Sequence, residues 1–155
     1  MIRHSSLLVL ALVAFGASTS LASAAEPTEE QAALYKQFEE LMNGAQMKGQ
    51  FTIDGKEGAA KQETYTIQKV TRLDIDDLWR FDVQMKYGDV DRTMPIAVPV
   101  KWVGKTPVVA LDKTAIPNLG TFSAYVVFAD GKYAGTWSHE GKGGGHMFGV
   151  IEKAE

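Results

Sequence analysis

His139 and His146 flank the glycine-rich run Gly141-Lys142-Gly143-Gly144-Gly145, and past His4 they are the only histidines in the chain. If two antiparallel strands meet through a turn over Glu140 to Gly145, His139 opposes His146. Directly opposed side chains have Cβ atoms about 4.5–5.5 Å apart, close enough for two imidazoles to share a zinc or copper ion. Glu140 is the one obvious third ligand. The same pairing sets Trp137 opposite Phe148 on the histidine face, so the plainer expectation is two rim histidines stacked on those rings.

Other chemistries fail on spacing. The glycine run lacks the Gly-x-x-x-x-Gly-Lys-Ser/Thr order of a phosphate loop and opens a strand, not a helix. Its glycines are expected to serve the turn. Ser138, His139 and Glu140 are triad residue types, but neighbours on a strand point to opposite faces, and no Gly-x-Ser-x-Gly elbow exists. Counted from Asp74 as a calcium loop, positions six and twelve hold Trp79 and Met85 instead of Gly and Glu. Asp74 to Asp77 therefore reads as a solvated acidic turn, and Arg80 with Asp82 as a wet ion pair on one strand face. The chain has no cysteine, which removes thiolate catalysis, thiolate metal sites and covalent haem attachment.

The elements that position these residues follow from periodicity. Arg3 and His4 precede an apolar run over Leu7 to Ala17, too short to span a bilayer, and Ala22-Ser23-Ala24 fits a signal-peptidase site. The expected division is residues 1–24 as signal peptide, 25–45 as an N-terminal helical segment and 46–155 as a β-barrel domain. Export to the periplasm or beyond follows, with no membrane span in the mature chain. The formal net charge is −3, and losing Arg3 makes it one unit more acidic. That balance argues against nucleic acid and anionic membranes.

Thr28 and Gln31 have capping-box spacing, and Leu34, Phe38, Leu41 and Met42 form one helical stripe before Asn43-Gly44 stops it. Period two then takes over. Strands are expected at Met47 to Ile53, Gln62 to Val70, Trp79 to Tyr87 and Thr106 to Leu111. Three more follow at Thr121 to Phe128, Tyr133 to His139 and His146 to Glu152. Val90 to Val103 is an eighth, less regular segment because Pro95 and Pro99 cannot donate to a ladder. Asp112 to Gly120 reads as a loop, and Asp130-Gly131 as a hairpin turn. No helices interleave, so the fold class is mainly β: an eight-stranded antiparallel up-and-down barrel with one N-terminal helix. A two-sheet β-sandwich is the alternative.

Gly135-Thr136-Trp137 resembles the Gly-x-Trp signature of the calycins, the lipocalin and avidin type of small β-barrel. The helix-then-strands layout also resembles small exported bacterial proteins with lipocalin-like barrels. The resemblance implies a barrel with the tryptophan packed across one end. Calycins carry the motif on the first strand, whereas here it lies near the C-terminus, and no biotin- or retinoid-binding positions match.

The functional expectation is a noncatalytic binding protein for a small apolar or amphipathic ligand, without a cofactor. Trp79, Phe81, Met85, Phe122, Val126, Trp137 and Phe148 are the expected lining, with Ala124, Ala134 and Gly149 leaving room if they face inward. The alternatives are a structural or interaction protein with a filled core, and a metal-binding protein using His139 and His146.

Overall fold

The protein is described by a computed structural model covering residues 26–154. The leader expected at residues 1–24 lies outside the described residues. Helix α1 (Glu29–Met42) precedes eight strands: β1 (Ala45–Phe51), β2 (Lys61–Arg72), β3 (Leu78–Tyr87), β4 (Val90–Val103), β5 (Thr106–Ile116), β6 (Gly120–Ala129), β7 (Lys132–His139) and β8 (Gly143–Lys153). Each strand pairs antiparallel with the next, and β8 returns to β1 along Ala45–Phe51, closing the barrel. Closure rules out the two-sheet sandwich.

The helix begins as its sequence dictates. The Thr28 hydroxyl accepts from the Gln31 amide, and the Gln31 side chain accepts from the Thr28 amide. Its last turn carries no basic residue of its own. Lys153 at the end of β8 supplies the charge, donating to the carbonyls of Glu40, Leu41 and Asn43 at 2.5, 3.2 and 2.8 Å. A cation there satisfies orphan carbonyls and complements the helix dipole. Asn43 Oδ1 accepts from the Val70 amide at 2.6 Å, pinning the helix exit to β2.

The apolar stripe of α1 plugs one end of the barrel. Phe38 meets Trp79, Phe81, Trp102 and Phe128 edge-on, with ring centroids 5.2, 6.2, 6.1 and 5.9 Å away. Met42 is fully buried beneath it. Among the described residues no helix lies across the opposite end, where β1, β3, β5 and β7 finish.

Three expectations change. β4 runs unbroken through Pro95 and Pro99. Both lie in the stretch of β4 paired with β3 alone, since β5 joins only along Val100–Val103. A missing N–H is tolerated on an unpaired margin. β5 continues to Ile116 through residues expected to form a loop, because a bulge between Leu111 and Thr114 shifts the alternation. Lys113 at the bulge has φ 42° and donates its amide to Ser123 Oγ at 2.9 Å. β8 begins at Gly143, not His146. The Asp130-Gly131 turn is as expected, both residues having positive φ.

Candidate functional site

The inward positions of the strands enclose a cavity of about 380 Å³ between the helical plug and the open end. Met42 forms its floor. Phe81, Met85, Phe122, Val126 and Trp137, all expected as lining, do line it, with Ala124 among them. Trp79 does not. It is 1% exposed and belongs to the plug, where Tyr35 and Phe38 pack on it.

Phe148 is also placed differently. The β7–β8 turn is shorter than expected, so His139 pairs with Gly143, Thr136 with His146 and Ala134 with Phe148. The register differs by three residues from a His139–His146 pair. Because side chains alternate with period two, an odd shift turns every β8 side chain to the other face. Phe148 therefore stands outside the barrel, 46% exposed, with Ala134 beside it, while Gly149 faces inward at the pairing position of Tyr133.

The same shift separates the histidines. His139 faces the cavity and stacks on Phe122 at 4.2 Å, and burial with Lys142 nearby lowers its pKa. His146 faces outward beside Tyr125 and Thr136. Two imidazoles on opposite faces of one sheet do not converge on an ion. Among the described residues no group of three or more metal-ligating side chains exists.

Trp137 lies at the open end, not over the plug. It packs edge-on against Phe51 at 5.8 Å and donates its indole N–H to the Thr52 carbonyl at 3.2 Å. Gly145 is buried in β8 at this level. A Cβ there would lie 2.0 Å from the Thr52 carbonyl oxygen.

The buried acid of the cavity is Glu63, a carboxylate at an inward position of β2 and 4% exposed. Tyr133 donates to its Oε1 at 2.8 Å and Tyr65 to its Oε2 at 3.0 Å. Strand pairing explains how Tyr133, on β7, reaches β2. Tyr133 pairs with Gly149, Gly149 with Gly49, and Gly49 with Glu63. The tyrosine ring lies over the two glycines: a Cβ on Gly49 would meet its hydroxyl at 2.2 Å, and one on Gly149 its ring at 2.7 Å. Burial pushes the Glu63 pKa up, and the two hydrogen bonds oppose that rise. The phenols of Tyr65 and Tyr133 are raised by burial and by the neighbouring carboxylate.

Neither Glu63, which lines the cavity, nor Tyr133, which donates to it, is among the site residues expected from the sequence. A signal existed: Glu63 shares the inward phase of Tyr65 and Ile67, and an acid in that phase is out of place unless paired. No short-range pattern joins it to a tyrosine 70 positions away.

The fold and site together define a closed eight-stranded up-and-down barrel, plugged by a helix and holding an aromatic-rich cavity with one hydrogen-bonded acid. Compared with protein-family models, curated proteins and solved structures, the chain matches none. No helix among the described residues is long and apolar enough to cross a membrane.

Proposed function

We propose that this is an exported, noncatalytic binding protein of calycin-like type, which carries a small apolar or amphipathic molecule inside its barrel. The observation behind the reading is the cavity itself. Its volume of about 380 Å³ falls in the range of small-ligand pockets, as does a mostly apolar lining with few polar groups. A barrel of eight strands can equally be filled by its own side chains; this one keeps a cavity with the small Ala124 among its lining. Export rests on the leader-like residues 1–24.

Titration of the mature chain with a fluorescent apolar probe, alongside native mass spectrometry, tests the proposal. Saturable uptake of one probe per chain, or a co-purified ligand of lipid-like mass, is expected. No uptake and no adduct would refute it. A second reading, an interaction protein, is favoured by the outer faces of β6 and β8. Tyr125, Val127, Phe148 and Val150 are exposed there on either side of β7.

A further inference from the structure

The chemistry around Glu63 narrows what the cavity takes, provided the cavity is a ligand site as proposed above. An ionised carboxylate offers about four lone-pair sites, and the two tyrosine hydroxyls occupy one on each oxygen. Among the described residues no cationic side chain forms an ion pair with Glu63. A charge left inside an apolar chamber without a counter-charge is costly, so a cation that enters and meets it gains more than it would at the surface.

The walls beside Glu63 suit a cation as well. Tyr87 pairs directly with Glu63 across β2 and β3. Tyr65 lies 6.4 Å from Tyr87, Tyr87 lies 6.4 Å from Phe51, and Phe51 lies 5.8 Å from Trp137, measured between ring centroids. All four rings line the cavity. Aromatic faces attract ammonium groups, and more strongly when water is excluded. Further in, Ile67, Val83, Val98, Leu111 and Val126 offer only hydrocarbon.

We infer that the cavity binds a lipophilic amine, with its ammonium nitrogen donating to Glu63 inside the ring formed by Phe51, Tyr65, Tyr87 and Trp137 and its hydrocarbon body against the aliphatic wall. A neutral alcohol can donate one hydrogen bond to Glu63 but leaves its charge without a counter-charge. An anionic headgroup is repelled there and finds its counter-charge only at Lys142, the lysine lining the cavity.

Calorimetric titration of the mature chain at neutral pH with decylammonium, decanol and decanoate separates these cases. Decylammonium is expected to bind about tenfold tighter than decanol or better, as for one desolvated charge contact, with decanoate weakest. Glu63→Gln is expected to bring decylammonium and decanol level. Tyr87→Leu, which removes a ring but no hydrogen bond to Glu63, is expected to weaken decylammonium severalfold and leave decanol nearly unchanged. Equal affinity for all three compounds in the wild-type chain overturns the amine assignment and leaves the cavity reading standing. Decanoate binding tightest does the same and moves the headgroup to Lys142. Binding of none of the three overturns both. The wild-type ranking decides the matter even if Glu63→Gln does not fold.

Discussion

The Tyr133 hydroxyl reaches Glu63 Oε1 at 2.8 Å across two intervening strands that present only Gly149 and Gly49 beneath it. A buried acid, a long phenol and two missing side chains thus form one device. The glycines clear the floor, the ring fills it, and the hydroxyl satisfies a carboxylate that would otherwise be buried without a donor on that oxygen. Tyr133 is 1% exposed, so none of this is surface chemistry.

Tyr133→Phe keeps the ring and removes the donor. Leaving a buried acceptor unsatisfied costs about 1–3 kcal/mol. Urea denaturation is expected to show a loss of that size, with unchanged m-value because the surface exposed on unfolding stays the same. A loss well below 1 kcal/mol would mean that water replaces the phenol at Glu63.

Gly149→Ala and Gly49→Ala test the floor. The added Cβ at Gly149 would lie 2.2 Å from the Lys48 carbonyl oxygen and 2.7 Å from the Tyr133 ring; at Gly49 it would lie 2.2 Å from the Phe148 carbonyl oxygen. Backbone atoms cannot step aside as a flexible side chain can. Overpacking of this kind costs about 1–3 kcal/mol, and each variant is expected to lower the urea midpoint accordingly. Gly55→Ala, in a turn with nothing near its missing Cβ but with φ 71°, separates backbone strain from crowding.

Glu63 also sets a pH dependence of stability. Burial raises its pKa above the ordinary 4.5. Between 4.5 and the raised native value, the folded chain holds a proton that the unfolded chain has released, so stability falls as pH rises through that window. This contribution is fully present below 4.5 and lost above the native value. His139 works in the opposite sense, because its lowered pKa makes the native state resist protonation as pH falls. Comparing wild type with Glu63→Gln cancels the histidine. The wild-type advantage over the variant is expected to shrink in urea unfolding as pH rises above 4.5. A difference that stays flat would show an ordinary carboxylate, and one that grows with pH a carboxylate held below its ordinary value.

Sequence alone carries the architecture of this barrel further than its site. The Thr28–Gln31 box, the α1 stripe and the Trp79–Tyr87 alternation are local patterns, and each appears where its residues place it. The β7–β8 register does not follow from local pattern. Gly143, Gly144 and Gly145 look like turn residues, yet the turn is made by Glu140 to Lys142, and Gly144 and Gly145 serve as strand positions where backbones approach closely. A Cβ on Gly145 is blocked by Thr52, just past the end of β1 and distant in sequence, so the hairpin by itself does not place it. That ambiguity is why the structure places His146 and Phe148 on the face opposite to the one the hairpin pattern predicts. Trp79 differs from its expected place for another reason: inward alternation says that a residue faces the barrel axis, not whether the helix or the cavity lies in front of it.

The plug carries much of the core. Phe38 is 2% exposed and touches four aromatic rings from β3, β4 and β6. Phe38→Ala is expected to cost about 3–5 kcal/mol. The loss should appear as one cooperative transition in far-UV and near-UV circular dichroism. Two separate transitions would mean that α1 leaves the barrel before the barrel unfolds.

Ala124→Phe tests whether the cavity, and not the outer apolar face, takes up ligand. Ala124 lines the cavity and pairs with Trp137 on one side and Leu111 on the other. A phenyl group there enters empty space instead of a packed core, so its cost in stability is expected to stay within about 1 kcal/mol. Ligand and side chain then compete for the same volume, and the affinity for an apolar probe is expected to fall by at least about tenfold as buried ligand surface is lost. Ala134→Phe is the matched control. Ala134 pairs with Val127 and Phe148 on the outer face, so the same substitution enlarges the exposed apolar patch and leaves the cavity untouched. Probe affinity reduced by Ala124→Phe alone places binding inside the barrel. An affinity unchanged by Ala124→Phe but altered by Ala134→Phe would move the site to the outer sheet and make the protein a surface binder.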